Sequence, residues 1–95
     1  MSESSSFYQS TSQDLELEVL NRFRDLTAIL PHNCQIYRET WNNQTILCLN
    51  FESCPHHIEV VKENFPALVN IVRRLSIATS IIFREGNQPR GWRKC

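Results

Sequence analysis

Two runs of strand-forming residues meet at an Asn-Asn pair in the segment CQIYRETWNNQTILCLNF, residues 34–51. Asparagine tolerates positive φ, so Asn42-Asn43 is typical of a two-residue hairpin turn. A turn at this position pairs Trp41 with Gln44 and fixes the register of both strands. Because side chains alternate along a strand, this register gives the hairpin one apolar face and one more polar face.

The polar face of the predicted hairpin carries three large side chains, Tyr37, Trp41 and Ile46. Exposed aromatic residues are enriched at protein contact surfaces. We therefore predict that these three residues form a partner-binding surface. The other face is predicted to belong to the core, and its apolar members are Cys34, Ile36, Leu47, Leu49 and Phe51.

The segments on either side of the hairpin have the periodicity of helices. Apolar residues at three- and four-residue spacing predict an amphipathic helix over residues 13–30, ended by the proline that follows. Apolar positions then keep one helical phase over residues 58–75 through Pro66, which predicts one kinked helix or two short ones. A β-branched run at residues 77–83 predicts a third strand that ends at Gly86-Asn87.

This order of elements (helix, hairpin, long kinked or split helix, strand) predicts a two-layer α+β fold. Its simplest arrangement is a three-stranded sheet with the helices on one face. A single domain over residues 13–86 contains all of these elements, and 95 residues suffice for one core. The Ser-rich residues 1–12 are predicted to be a flexible N-terminal arm, and residues 87–95 a basic, mobile tail.

Composition excludes several classes of protein. The chain is 41% apolar and 21% charged, as in ordinary globular domains. Two glycines leave no room for a glycine-rich nucleotide-binding loop. No apolar run has the length of a membrane span, and the N-terminus lacks the basic and apolar regions of a signal peptide. We therefore expect a cytoplasmic protein without membrane contact, whose four cysteines are free thiols.

No combination of side chains predicts catalysis, so we expect neither catalytic residues nor a cofactor. The acidic residues fall on solvated helix faces, and the serines and threonines have no evident His–Asp partners. Residues of metal-ligating type lack the close Cys-x2-Cys spacing of structural zinc sites, so no metal site is predicted. These residues are His32, Cys34, Cys48, Cys54, His56 and His57.

Cys54-Pro55-His56-His57 stands at a predicted helix start directly after a strand. A thiol at a helix N-terminus has a lowered pKa and a raised reactivity. Over about ten residues, this motif resembles the strand-to-helix turn of thioredoxin-fold thiol oxidoreductases of the Cys-Pro-His-Cys type. His57 replaces the second cysteine of that family, so dithiol exchange is not available here. The resemblance implies a reactive Cys54, and a thiol redox sensor is our third hypothesis.

Charge is divided unequally along the chain. Residues 1–63 hold four Lys or Arg and nine Asp or Glu, a formal charge of −5, whereas residues 64–95 hold six and one, a charge of +5. Arginines can contact phosphates and tryptophan can stack on an unpaired base. An RNA- or DNA-binding accessory protein is therefore the alternative function. The residues that would bind nucleic acid are Arg73, Arg74, Arg84, Arg90, Trp92, Arg93 and Lys94.

With a split helix, the order of elements is similar to the type II KH topology of ribosome-associated proteins. The Gly-x-x-Gly loop of that family would fall at Asn64-Phe65-Pro66-Ala67, which contains no glycine. The resemblance implies nucleic-acid binding, but without the loop that contacts the nucleic-acid backbone in that family.

The sequence favours a small, non-enzymatic protein–protein interaction module, a regulator or adaptor, whose partner is another protein. Sheet edges have unpaired backbone groups, and no proline or inward charge interrupts residues 77–83. We therefore also predict a homodimer whose interface includes a sheet edge or the outer sheet face.

Overall fold

The computed structural model describes the backbone of residues 2–95 and the side chains of residues 13–95. It confirms the predicted α+β class. The predicted arm over residues 1–12 lies outside the residues whose side chains are described. The elements are α1 (Ser2–Leu26), β1 (Gln35–Trp41), β2 (Gln44–Asn50), a 3-10 turn (Pro55–His57), α2 (Ile58–Glu63), α3 (Phe65–Leu75), β3 (Ser80–Glu85) and β4 (Gln88–Lys94).

The hairpin register predicted from the sequence is confirmed. β1 and β2 are antiparallel, and Trp41 lies opposite Gln44 at the turn. Asn42 and Asn43 have φ values of 51° and 66°, the pair of left-handed conformations that a type I′ turn requires. The side-chain amide makes this conformation less costly for asparagine than for most residues. The turn therefore determines which hairpin residues face the helices.

The sheet has four strands in the order β1-β2-β3-β4, where the sequence predicted three. β3 runs parallel to β2 and antiparallel to β4. β4 is formed by residues 88–94, which the sequence analysis assigned to the tail, and it follows a turn at which Gly86 has a φ of 63°. Pro89 lacks a backbone donor, so it is tolerated because β4 lies at a sheet edge. β3 is therefore an interior strand, and the edges are β1 and β4.

α1 ends at Leu26, four residues before its predicted end. The hydroxyl of Thr27 donates a hydrogen bond of 2.8 Å to the Phe23 carbonyl. The guanidinium of Arg24 donates to the carbonyls of Pro31 and Cys34. These bonds hold residues 27–34 as a connection between α1 and β1, so the chain turns before the proline rather than at it.

The long helix predicted over residues 58–75 is two helices that meet at Asn64. The side-chain nitrogen Nδ2 of Asn64 donates a hydrogen bond of 2.9 Å to the Val60 carbonyl, a backbone acceptor in the last turn of α2. Pro66 falls in the first turn of α3, where its missing N–H has no helical partner to lose.

All three helices pack on one face of the sheet, as predicted. Phe23 from α1, Val61 from α2 and Leu68 from α3 meet Leu47 and Phe83 of the sheet in one buried cluster. Phe51 and Phe83 stack within it, their ring centroids 6.2 Å apart. Within the described residues, no helix is both long and apolar enough to cross a bilayer.

Candidate functional site

The face of the sheet opposite the helices is covered by no other described element. A transverse row of cross-strand neighbours runs over it, from Tyr37 through Cys48 and Ile82 to Trp92. We call this surface the open face. By register, its members are Gln35, Tyr37, Glu39, Trp41, Gln44, Ile46, Cys48, Asn50, Ser80, Ile82, Arg84, Pro89, Trp92 and Lys94.

Two tryptophans stand on the open face, one on each edge strand. Trp41 of β1 is 39% exposed and Trp92 of β4 is 50% exposed. Between them lies a groove of about 460 Å³, which Ile46 and Ile82 also line. Both isoleucines are buried, so they form the floor, and the indoles form the walls. We call this feature the tryptophan groove.

Arg84 fixes one wall of the tryptophan groove. Its guanidinium carbon lies 5.7 Å from the centroid of the Trp41 ring, within the range of a cation–π contact. Its Nη2 donates to Oε1 of Glu39 at 3.2 Å. The Nε of Arg84 is buried and has no hydrogen-bond partner in the described structure. Arg84 therefore contacts Trp41 and Glu39 together and keeps one buried donor without a partner.

The three residues predicted to bind a partner all lie on the open face. Trp41 is exposed, Tyr37 is half-buried, and Ile46 is buried beneath the groove. Burial is the main cause that raises the pKa of the Tyr37 phenol above its ordinary value, with the neighbouring Cys48 thiol adding to it. Of the three, only Trp41 offers a partner a large exposed area.

Trp92 also lies on the open face, although the sequence did not predict it there. From the sequence it belonged to a basic tail, where it was a candidate for base stacking. The structure instead places Trp92 opposite Ile82, on the same face as Trp41. The one sequence signal for this placement is the Gly86-Asn87 pair, a turn signal between two segments of strand length.

The basic residues predicted to bind nucleic acid do not form one patch. Arg84, Trp92 and Lys94 share the open face. Arg93 lies on the helix side, with its guanidinium 5.8 Å from the Phe65 ring centroid. The remaining three lie elsewhere: Arg90 forms an ion pair of 2.9 Å with Glu85, and Arg73 and Arg74 belong to the last turn of α3.

Cys54 does not have the environment that its motif predicts. It is buried, with no exposed surface, and burial raises the pKa of its thiol above the ordinary value. The helical segment after it is a three-residue 3-10 turn without a side-chain cap, so little helix dipole acts on the sulfur. The expectation of a lowered pKa at Cys54 is therefore wrong.

The other thiols and the histidines do not build a metal centre in the described part of the chain. No group of three or more His, Cys, Asp or Glu side chains converges there. All four cysteines are free. His56 and His57 stack with ring centroids 4.3 Å apart, but no further ligand joins them.

A larger groove of about 760 Å³ lies between α1 and α3. Leu17 and Leu26 are exposed along it, but acidic and basic side chains alternate on its walls. Such a mixed rim is typical of a solvated surface between helices, so the open face is the stronger candidate. The charged residues of this groove are Asp14, Glu18, Arg22, Asp25 and Arg74.

Comparison of the chain with protein-family models, with curated proteins and with solved structures gives no match. The open face offers apolar and aromatic contact area and one partly buried cation, Arg84, already paired with a carboxylate.

Proposed function

We propose that the protein is a small, non-enzymatic interaction module, a regulator or adaptor, that binds another protein through its open face. The tryptophan groove carries this proposal. Two half-exposed indoles, Trp41 and Trp92, flank an apolar floor on the sheet. Tryptophan is among the residues that contribute most to binding energy at protein interfaces, because it brings a large apolar area at a low entropic cost.

The charges on the open face support a protein partner. Glu39 and Arg84 neutralise each other, and Lys94 is the one remaining charge on the open face. Towards the end of the face away from the groove, the amide of Asn50 donates to the side-chain oxygen of Gln35 at 3.4 Å. An apolar centre with a polar, nearly neutral rim is the anatomy of a protein–protein interface. The four free thiols fit the reducing cytoplasm, which we propose as the location.

Capture followed by titration tests this proposal. The immobilised chain is incubated with nuclease-treated lysate of its source cell, and a captured protein is purified and titrated against it. We expect Trp41→Ala and Trp92→Ala each to raise Kd at least about fivefold, or about 1 kcal/mol. Val60→Ala is the matched control, since Val60 is an apolar α2 side chain that is 50% exposed.

Equal affinities for the two tryptophan variants and the wild type would overturn the proposal. So would equal losses in the tryptophan variants and in Val60→Ala, because the effect would then not belong to the groove. Circular dichroism and urea unfolding of each variant check that the sheet is intact.

Nucleic-acid binding is the second candidate, favoured by the position of Trp92 beside Lys94 and Arg84 on one face. Exposed indoles can stack on unpaired bases while cations contact the backbone. Tryptophan fluorescence during titration with single-stranded RNA tests it. Binding of this kind weakens steeply with salt and is reduced in Lys94→Gln but not in the control Arg74→Gln. A protein that the immobilised chain still captures from nuclease-treated lysate favours the first candidate, binding to another protein.

A further inference from the structure

The two edges of the sheet are built differently. β4 carries Pro89, and its pairing with β3 shifts register between Phe83 and Arg84, as in a β-bulge. It also carries three cations, Arg90, Arg93 and Lys94. Proline, bulges and lysine or arginine are the usual means by which an edge strand is kept from pairing with another chain. β4 is therefore a protected edge.

β1 has none of these features. Its seven residues pair with β2 in an unbroken register and include neither proline nor glycine. Its two charged residues have opposite signs, so the strand has no net charge, and each forms an ion pair within the chain, Arg38 with Glu16 and Glu39 with Arg84. No described element pairs with the outer side of β1. Neither a proline, a bulge nor a net charge of β1 therefore opposes pairing with another strand.

The hairpin geometry shows which backbone groups β1 offers. The residues flanking a two-residue type I′ turn form a hydrogen-bonded pair, so Trp41 bonds to β2, as does every second residue before it. Ile36, Arg38 and Thr40 consequently direct their N–H and C=O groups outward. These groups form one continuous row along β1.

We propose that β1 pairs antiparallel with β1 of a second copy, about a twofold axis at Tyr37. The inference extends the proposed function by naming the surface that a second copy of this chain occupies. It gives one continuous sheet of eight strands. Because the axis is perpendicular to the sheet, the open faces of both copies lie on the same side and their tryptophan grooves form one wide platform.

Charge selects the register of this pairing. Opposite residues must point to the same face, so the axis passes through a residue. Only an axis at Tyr37, Arg38 or Glu39 pairs five or more residues of β1. An axis at Arg38 sets two arginines opposite each other, and an axis at Glu39 sets two glutamates opposite each other, and both arrangements are unfavourable. An axis at Tyr37 pairs the two tyrosines, places Gln35 against Glu39, and opposes no like charges. Aromatic cross-strand pairs are favourable, so the strand is complementary to itself.

Sedimentation equilibrium of a matched pair of variants tests the use of the β1 edge. Ile36→Pro removes an outward N–H that lies opposite Arg38 of the second copy, at a position where an edge strand tolerates proline, whereas Ile36→Ala keeps that N–H. We expect wild type and Ile36→Ala to reach twice the 11.2 kDa chain mass at micromolar concentration. We expect Ile36→Pro to remain at the chain mass while it still unfolds cooperatively.

Disulfide cross-linking tests the register, and it also tests the dimer itself should Ile36→Pro fail to fold. Tyr37→Cys, in a Cys95→Ser background, places two thiols opposite each other across the axis. We expect mild oxidation to cross-link this variant quantitatively, and Gln35→Cys and Glu39→Cys in the same background to remain monomeric on a denaturing gel. The background protein without the added cysteine is the blank.

A wild type that stays at the chain mass over the whole micromolar range would overturn the inference. So would a dimer that persists in Ile36→Pro, or one that does not cross-link through residue 37. The outcome is separable from that of the proposed function, because Trp92 lies on the opposite edge strand and Trp92→Ala leaves this dimer intact. If the chain is a monomer that still binds its partner through the tryptophan groove, the dimer is ruled out and the proposed function stands.

Discussion

Burial controls the thiols of this chain. Burial is the main cause that raises the pKa of Cys48 to about 12, and the carboxylate of Glu39, 3.4 Å from the sulfur, adds to the shift. Burial also raises the pKa of Cys34 to about 12, and the thiolate of Cys54 is disfavoured for the same reason. Because only the thiolate is a strong nucleophile, these sulfurs are protected both sterically and electrostatically.

Alkylation at neutral pH checks this protection residue by residue. With iodoacetamide under native conditions, we expect Cys95, the only half-buried thiol, to be modified first. Cys34, Cys48 and Cys54 should react at the rate at which the fold opens, and all four should react together in urea. Peptide mass spectrometry measures the rates. Fastest modification of Cys54, with a midpoint below pH 7, would contradict this and restore the redox hypothesis.

The conformation of the hairpin turn between β1 and β2 affects the free energy of unfolding. Asn43 has a φ of 66°, which costs about 1 kcal/mol for a residue with an ordinary Cβ. We expect Asn43→Ala to lower the free energy of unfolding by about that amount and Asn43→Gly to preserve or raise it. Urea denaturation of the two variants measures the difference. Equal stability of the alanine and glycine variants would argue against the type I′ turn.

The elements differ in how much of their structure the sequence could predict. The hairpin was predictable down to its register because its turn residues and its alternation are both local properties. β4 was not, because Pro89 and Gly91 disfavour a strand locally and pairing with β3 stabilises it. A Cβ at position 91 would lie 2.8 Å from Cε of Lys62, the far end of a flexible side chain that can move aside, so packing does not require glycine there. The candidate site was predictable to the same extent. Trp41, on the hairpin, was predicted on the open face, whereas Trp92, on β4, was not.

Residues 88–94 belong to the folded domain because they form β4 and pair with β3. Removal of residues 88–95 would expose the edge of β3 and uncover Ile82 and Phe83, which are buried in the intact sheet. We expect the free energy of unfolding to fall by about 2 kcal/mol or more. Removal of Cys95 alone is the control. Unchanged urea unfolding of the longer truncation would show that these residues behave as the mobile tail the sequence suggested.

The parallel contact between β2 and β3 also has a consequence for the order in which the chain folds. Each antiparallel pair closes through a two-residue turn, and such hairpins form within microseconds. β2 and β3 can meet only after residues 51–79 have closed a loop and the crossover helices have found the sheet. The late, non-local closure between β2 and β3, rather than the two early hairpins, should therefore set the folding rate.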